Sequence, residues 1–539
     1  MKVIKKAFSW NEIQSSHRLM MLIILVLGLL NFFWGEKVPV GGGFGWDGVY
    51  YAKMVRNLDT MITGGQLSSY YTQRILPSAI VRGMLLFSGA SITDANIIRS
   101  FELYNLALLV VACWAWKRVA NKFSLSIAGR WIGFSAIFIN FQCSKQAFYY
   151  PVLTDVTALL VAMLLLLFYA EKKPIALFLV TIIGAFCWPV VSVCGAFLLI
   201  FLRSELPRNV IRPAPSTFVI KSVGLPYLMK MGGVLILGLA VLGYLVSTQF
   251  APVSEHACVV FNDQLQTLVN AMPPSISSSL ERVLISNSPC ALEKVLTKAQ
   301  QFLTALPSLF GLLVALVILV GSASFFRAVL SNLRTARFPL MALAIAAILI
   351  PGFIVKIVSN PSIANPSSLL LLIWLILFPQ EGKFLLPVVT LAVFWGPVVL
   401  LLLLYWKEFC VQARKLGPGV VAVIGTTLIL GLVGEPRFMT IAWPFLVLGL
   451  VLVLDASKTK ASFKYVLISL TVVYAQFWMK INVAPWLPPD GEGLQHFPKQ
   501  LYFMHYGLWM SWLTYLVQLP IIIISGFLLK NGIEKINKQ

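Results

Sequence analysis

Charge is what this sequence has least of. Only 12% of its 539 residues are charged, acids number 20 and histidines four. That is about half the usual charged fraction; with 59% hydrophobic residues and a mean hydropathy of +0.85, it excludes an ordinary soluble globular protein. Cysteine is scarce too. Seven are too few for a disulfide scaffold, and Cys113, Cys143, Cys187, Cys194 and Cys410 fall in or beside apolar runs, where cysteine packs as a small apolar residue. No small-residue cleavage site follows the first apolar run, 19–34, although Lys2, Lys5, Lys6 and Arg18 precede it, so an uncleaved first span is expected there. The chain has no long internal repeat and no linker between soluble domains.

Apolar runs and basic loops are what the chain does have. Forty-two Lys and Arg give a net charge of +22, but they are spread over many short loops. This is the pattern of cytoplasmic anchoring, not of a nucleic-acid footprint. Runs of about 17–25 apolar residues recur along the chain, each long enough to cross a bilayer. The expected fold is therefore an all-α polytopic membrane protein of about 12–14 transmembrane helices with both termini cytoplasmic. The run 174–202 holds Trp188 and Pro189 at its middle and reads as two short crossings, which keeps Arg203, Arg208 and Arg212 inside. Three regions are expected: an N-terminal transmembrane module over 1–249 with its first outer loop at 35–96, an outer lobe over 250–304, and a C-terminal transmembrane module over 305–539. Cys258 and Cys290 lie in the outer lobe and are a disulfide candidate if that lobe faces an oxidising compartment.

The basic loops sort the polar groups by side. Asp47, Arg74, Asp155, Glu435, Arg437 and the loop Pro485–His505, with Asp490, Glu492, His496 and His505, are expected on one outer face. Asp47 stands between Trp46 and Gly48 in a glycine-rich stretch just after the first span. Such an acid suits a general base for an acceptor hydroxyl, with Arg74 and Arg437 as cationic clamps for a phosphate leaving group. Trp46, Tyr50, Tyr51, Tyr70 and Tyr71 suit sugar rings, and equally a membrane-interface aromatic belt. Arg437 has Glu435 beside it as an alternative partner. Asp155 opens an apolar run, where a carboxylate also serves as a helix N-terminal charge.

The motif Trp46-Asp47-Gly48-Val49-Tyr50-Tyr51, followed by Arg74-Ile75-Leu76-Pro77, resembles the first outer loop of bacterial GT-C-type integral membrane glycosyltransferases. Thr154-Asp155 resembles their second acidic position, and Glu435-Pro436-Arg437-Phe438 with Pro444 resembles a late Glu-x-Arg-aromatic motif. The likeness covers 44–200 and, briefly, 434–444. It implies a GT-C-like helical bundle, Asp47 as catalytic base, a polyprenyl-phosphate sugar as donor, and inverting transfer at the outer face of a bacterial cytoplasmic membrane. Membrane lipids and a glycan, lipid or protein acceptor would be the partners, with no nucleic acid. The loop has no Asp-x-Asp pair and the outer histidines lack metal-ligand spacing, so no cofactor is expected and a divalent metal is left open. A membrane transporter or flippase, a surface-glycan polymerase or ligase, and a non-catalytic partner of a glycan-assembly complex stay as alternatives.

Overall fold

The computed structural model describes residues 2–202, 337–363, 386–431, 435–456, 461–477, 482, 510 and 512–537. All of these belong to one compact unit, formed from Met1–Ala214, Leu319–Ile373 and Leu385–Gln539; the second unit, Pro215–Ile318 with Trp374–Phe384, lies outside the described residues. So do Cys258, Cys290, Asp490, Glu492, His496 and His505.

Within the described residues every regular element is helical. In chain order the helices are α1 (Lys2–Trp34), α2 (Asp47–Thr63), α3 (Ser69–Thr72), α4 (Ile75–Ser88), α5 (Asp94–Lys122), α6 (Ile127–Phe138), α7 (Ala147–Tyr149), α8 (Asp155–Glu171), α9 (Pro174–Gly184) and α10 (Val190–Ile200). After the second unit come α11 (Phe338–Val358), α12 (Leu386–Trp395), α13 (Val398–Leu404), α14 (Trp406–Leu416), α15 (Pro418–Gly431), α16 (Trp443–Ala456), α17 (Ala461–Ala475) and α18 (Trp512–Asn537). Gln14–Trp34, Asp94–Lys122 and Phe338–Val358 are long and apolar enough to cross a membrane. The outward face of α11 is apolar. Ile345, Leu349, Phe353 and Ile357 recur every fourth residue on it and are all exposed.

Two sequence features become breaks. The run 174–202 divides into α9 and α10, separated by a turn that contains Trp188 and Pro189. Proline cannot donate to the helical ladder, so the chain stops there and restarts. The second break was not expected. The stretch 127–149 holds α6, then a π turn over Gln142–Gln146, then the short α7. Asn140 accounts for this locally: its amide donates to the carbonyls of Ala136 (3.0 Å) and Ile137 (2.8 Å), which α6 leaves without partners, and its oxygen accepts the Cys143 amide at 3.0 Å. Asn105 of α5 holds the far side of the break, donating to the carbonyls of Ala147 and Pro151, both at 2.8 Å.

The helices pack around buried aromatics. α5 lies against α1 and α8, α8 against α9, and α10 against α9, α11 and α15, while α16 packs on α6 and α14. Trp116, Trp395 and Trp443 are completely or almost completely buried, and their indole N–H groups reach backbone carbonyls, as buried indoles need to do. The two most relevant to function are Trp395, which donates to the Pro436 carbonyl at 3.0 Å, and Trp443, which donates to the Ala136 carbonyl at 3.0 Å. Their rings stack at 4.6 Å and so tie the late loop 435–440 to the N-terminal helices.

Candidate functional site

Most of the stretch that reads as an outer loop, 35–96, is helical. Asp47 is the first residue of α2 and Trp46 is its N-cap, so the carboxylate meets the positive end of the helix. This gives Asp47 a local structural role that its glycine-rich setting had hidden. Ahead of it the backbone makes a tight turn. Gly45 has φ of +67°, and a Cβ there would lie 2.3 Å from the Tyr150 ring, while a Cβ on Gly48 would lie 2.2 Å from Val152. Glycine on both sides of Trp46-Asp47 is thus what lets the turn sit directly on the 150–152 segment.

Tyr150 holds the turn as well as crowding it. Its hydroxyl accepts the Gly48 backbone N–H at 3.1 Å, and its ring lies 6.4 Å from that of Trp46. Burial, opposed by that hydrogen bond and reinforced by the Asp47 charge, raises its phenol well above the ordinary range. Tyr150→Phe should therefore remove the acceptor and leave Gly48 unpaired, at a cost of about 1 kcal/mol. Hydrogen exchange should show the Gly48 amide opening about fivefold faster, with the rest of α2 unchanged. No acceleration would mean that packing alone holds the turn.

Aromatic rings wall the site. Tyr50 and Tyr71 stack almost parallel at 4.1 Å, and Tyr70 meets Tyr71 edge-on at 5.0 Å. Tyr51 is only 2% exposed and meets Tyr71 edge-on at 6.1 Å, so it packs behind the stacked pair and is withdrawn from the surface. Arg74 lies over the Tyr70 ring at 3.7 Å and near the Trp188 ring at 5.8 Å, and donates to the Tyr70 carbonyl at 3.0 Å. Trp188 comes from the break between α9 and α10, and Leu76 donates its N–H to the Phe186 carbonyl of the same break. Among the described residues Arg74 makes no ion pair, and neither does Asp47.

Arg437 differs from Arg74 in this respect. Two of its N–H groups bond Glu435 Oε1, the Nε contact at 2.7 Å, so of the alternatives open for this residue the pairing is realised. Burial pulls its pKa down, but Glu435, then Asp155, then Asp47 outweigh that and hold it above its ordinary value. The same interactions place Asp47, Asp155, Glu435 and Arg437 within one electrostatic neighbourhood. Tyr70 is also part of it: burial raises its pKa most, Arg74 opposes, and Asp47, Arg437 and Glu435 all act on it. Tyr71 is shifted upward by burial and by Asp47. Both phenols therefore stay protonated donors throughout the physiological range.

The segment 435–440 reaches this neighbourhood through fixed contacts. Besides the bond from Trp395, Thr440 lies 3.4 Å from Gln142 Oε1 on the π turn and donates to the Arg437 carbonyl at 2.6 Å. Tyr150, Trp188, Gln142 and Gln146 were missed as site residues. The polar run Asn140-Phe141-Gln142-Cys143-Ser144-Lys145-Gln146 within an apolar stretch was the available signal for the last two. Among the described residues no group of three or more His, Cys, Asp or Glu side chains could hold a metal ion. Compared with protein-family models, curated proteins and solved structures, the chain matches none.

Proposed function

We propose that this protein is a polytopic membrane glycosyltransferase of GT-C-like architecture. It transfers a sugar, with inversion, from a polyprenyl-phosphate carrier to an acceptor at the outer face of a bacterial cytoplasmic membrane. The observation that carries the reading is that Asp47 and Arg74, neither of which makes an ion pair among the described residues, both act electrostatically on Tyr70 and Tyr71. In this reaction Asp47 takes the proton of the acceptor hydroxyl as that oxygen attacks the anomeric carbon, and the bond to the phosphate oxygen breaks. The leaving group departs as a phosphate and needs positive charge more than a proton, which Arg74 supplies. Tyr50 and Tyr71 offer flat apolar faces for the sugar, and the Tyr70 and Tyr71 hydroxyls donate hydrogen bonds. Arg437, held by Glu435, adds to the positive field.

The apolar outward faces of helices such as α11 support a lipid environment, since large exposed apolar stripes are not tolerated in water. The test is transfer of radiolabelled sugar by the purified protein in lipid nanodiscs, supplied with a membrane lipid extract containing polyprenyl-phosphate sugars. Label is expected to leave the carrier only when protein is present. If a folded protein transfers nothing from polyprenyl-phosphate sugars and acts only on diphosphate-linked oligosaccharides, the proposal fails in favour of a polymerase or ligase.

A further inference from the structure

We propose that a cavity between α5, the π turn and α8, which shares Gln142, Gln146, Tyr150 and Asp155 with the candidate site, binds one monovalent cation of about the size of sodium. The proposal does not depend on the glycosyltransferase reading. The cavity has about 10 Å³ of free space, enough for one water-sized particle, and is lined by Asn105, Gln142, Gln146, Tyr150, Leu153 and Asp155 among others. Three of these residues each bring an oxygen with no hydrogen-bond donor from the protein: Asn105 Oδ1, Gln146 Oε1 and Asp155 Oδ1. All three residues are more than nine-tenths buried, at 1%, 6% and 3% exposure. Buried acceptors are almost always paired, so three orphans around one cavity are a strong departure from the norm.

The chemistry of the three oxygens selects the ligand. The Asn105 amide cannot be turned to offer its nitrogen, because that nitrogen already donates to the Ala147 and Pro151 carbonyls. Asp155, which also lines the cavity, has Oδ1 without a hydrogen-bond donor from the protein. No protein cation hydrogen-bonds to them: Arg437, whose charge Asp155 feels, is bonded to and balanced by Glu435, and Lys145 is bonded to Glu36 at 3.2 Å. A water molecule has two hydrogens for three acceptors. A bare cation satisfies all three at once. Two neutral amide oxygens and one carboxylate carry a single negative charge, which matches a monovalent ion, and a cavity of this size does not hold a magnesium ion with the waters it keeps. Broken helices are a usual setting for such ions, and the π turn supplies that break beside the cavity.

The test is ²²Na⁺ binding to the purified full-length protein in detergent, with choline chloride holding ionic strength constant. Saturable binding of about one ion per chain is expected, together with a sodium-dependent rise in Tm, because an ion bound only by the folded state stabilises it. Asp155→Asn should abolish both effects, and Gln146→Met, which removes one oxygen and keeps the volume, should weaken binding about tenfold. Asp94→Asn, at the exposed ion pair with Arg56, serves as control and should leave binding unchanged. Absence of saturable binding in the folded wild type would overturn the proposal and leave a water beside a protonated Asp155. Binding that survives both Asp155→Asn and Gln146→Met would place the ion elsewhere and also overturn it. Displacement by calcium at concentrations well below that of sodium would overturn the monovalent assignment.

Discussion

Asp47→Asn is expected to lower the rate of sugar transfer by about 10²–10⁴-fold, the usual contribution of a positioned general base. The substitution keeps the shape of the side chain and removes its capacity to take a proton. Its structural cost is small and separable. Asp47 stands in the first turn of α2, so losing its charge forfeits a dipole interaction of about 0.3–1 kcal/mol, too little to unfold the protein. The variant should therefore melt within a few degrees of wild type while its kcat collapses. Its KM for the donor should hardly move, because Asp47 acts on the acceptor in the transition state. Undiminished kcat in the folded variant would remove Asp47 as the base and leave Asp155 and Glu435, the other carboxylates of the same neighbourhood, to be tested in turn.

Arg74→Ala is expected to cost about 10-fold to 150-fold in kcat/KM for the lipid-phosphate donor, the equivalent of one charge-assisted contact of about 1.5–3 kcal/mol. Arg74 is held against the rings of Tyr70 and Trp188 and, among the described residues, no carboxylate engages it, so in the proposed reaction it serves the donor phosphate. Truncation also removes packing from those rings, which makes Arg74→Lys the cleaner comparison. Lysine keeps the charge but loses the planar fork and the stacking, and should recover part of the activity. Full activity in the lysine variant would mean that only the field matters there. Full activity in the alanine variant would shift the phosphate to Arg437, whose pairing with Glu435 would then have to open.

Much of this architecture was legible in the amino-acid order. The apolar run 19–34 falls within α1, and Trp188-Pro189 marked the break between α9 and α10 because proline removes a donor wherever it sits. The polar stretch after α1 read as loop because its glycines and tyrosines lack a clean period, yet α2 and α4 form there by packing Tyr51, Met54, Val55, Val81 and Leu85 inward. Candidate residues could be sorted by side but not by contact. Nothing in the order of residues says that Tyr51 is buried while Tyr71 is stacked on Tyr50, or that Arg437 is spent on Glu435 while Arg74 is not. Nor does local pattern reveal that Asn105, Gln146 and Asp155 share a cavity, since that depends on where the π turn aims one side chain.

The anchoring of the segment 435–440 onto the π turn has a consequence for biosynthesis. Thr440 and Gln142, which meet there, are separated by 298 positions, so a ribosome releases the segment bearing Asp47 and Arg74 long before it makes Glu435 and Arg437. Until α16 has been made and Trp443 has reached the Ala136 carbonyl, the nascent chain carries only part of the charge pattern described above. Completion of the constellation is therefore tied to the late part of the chain.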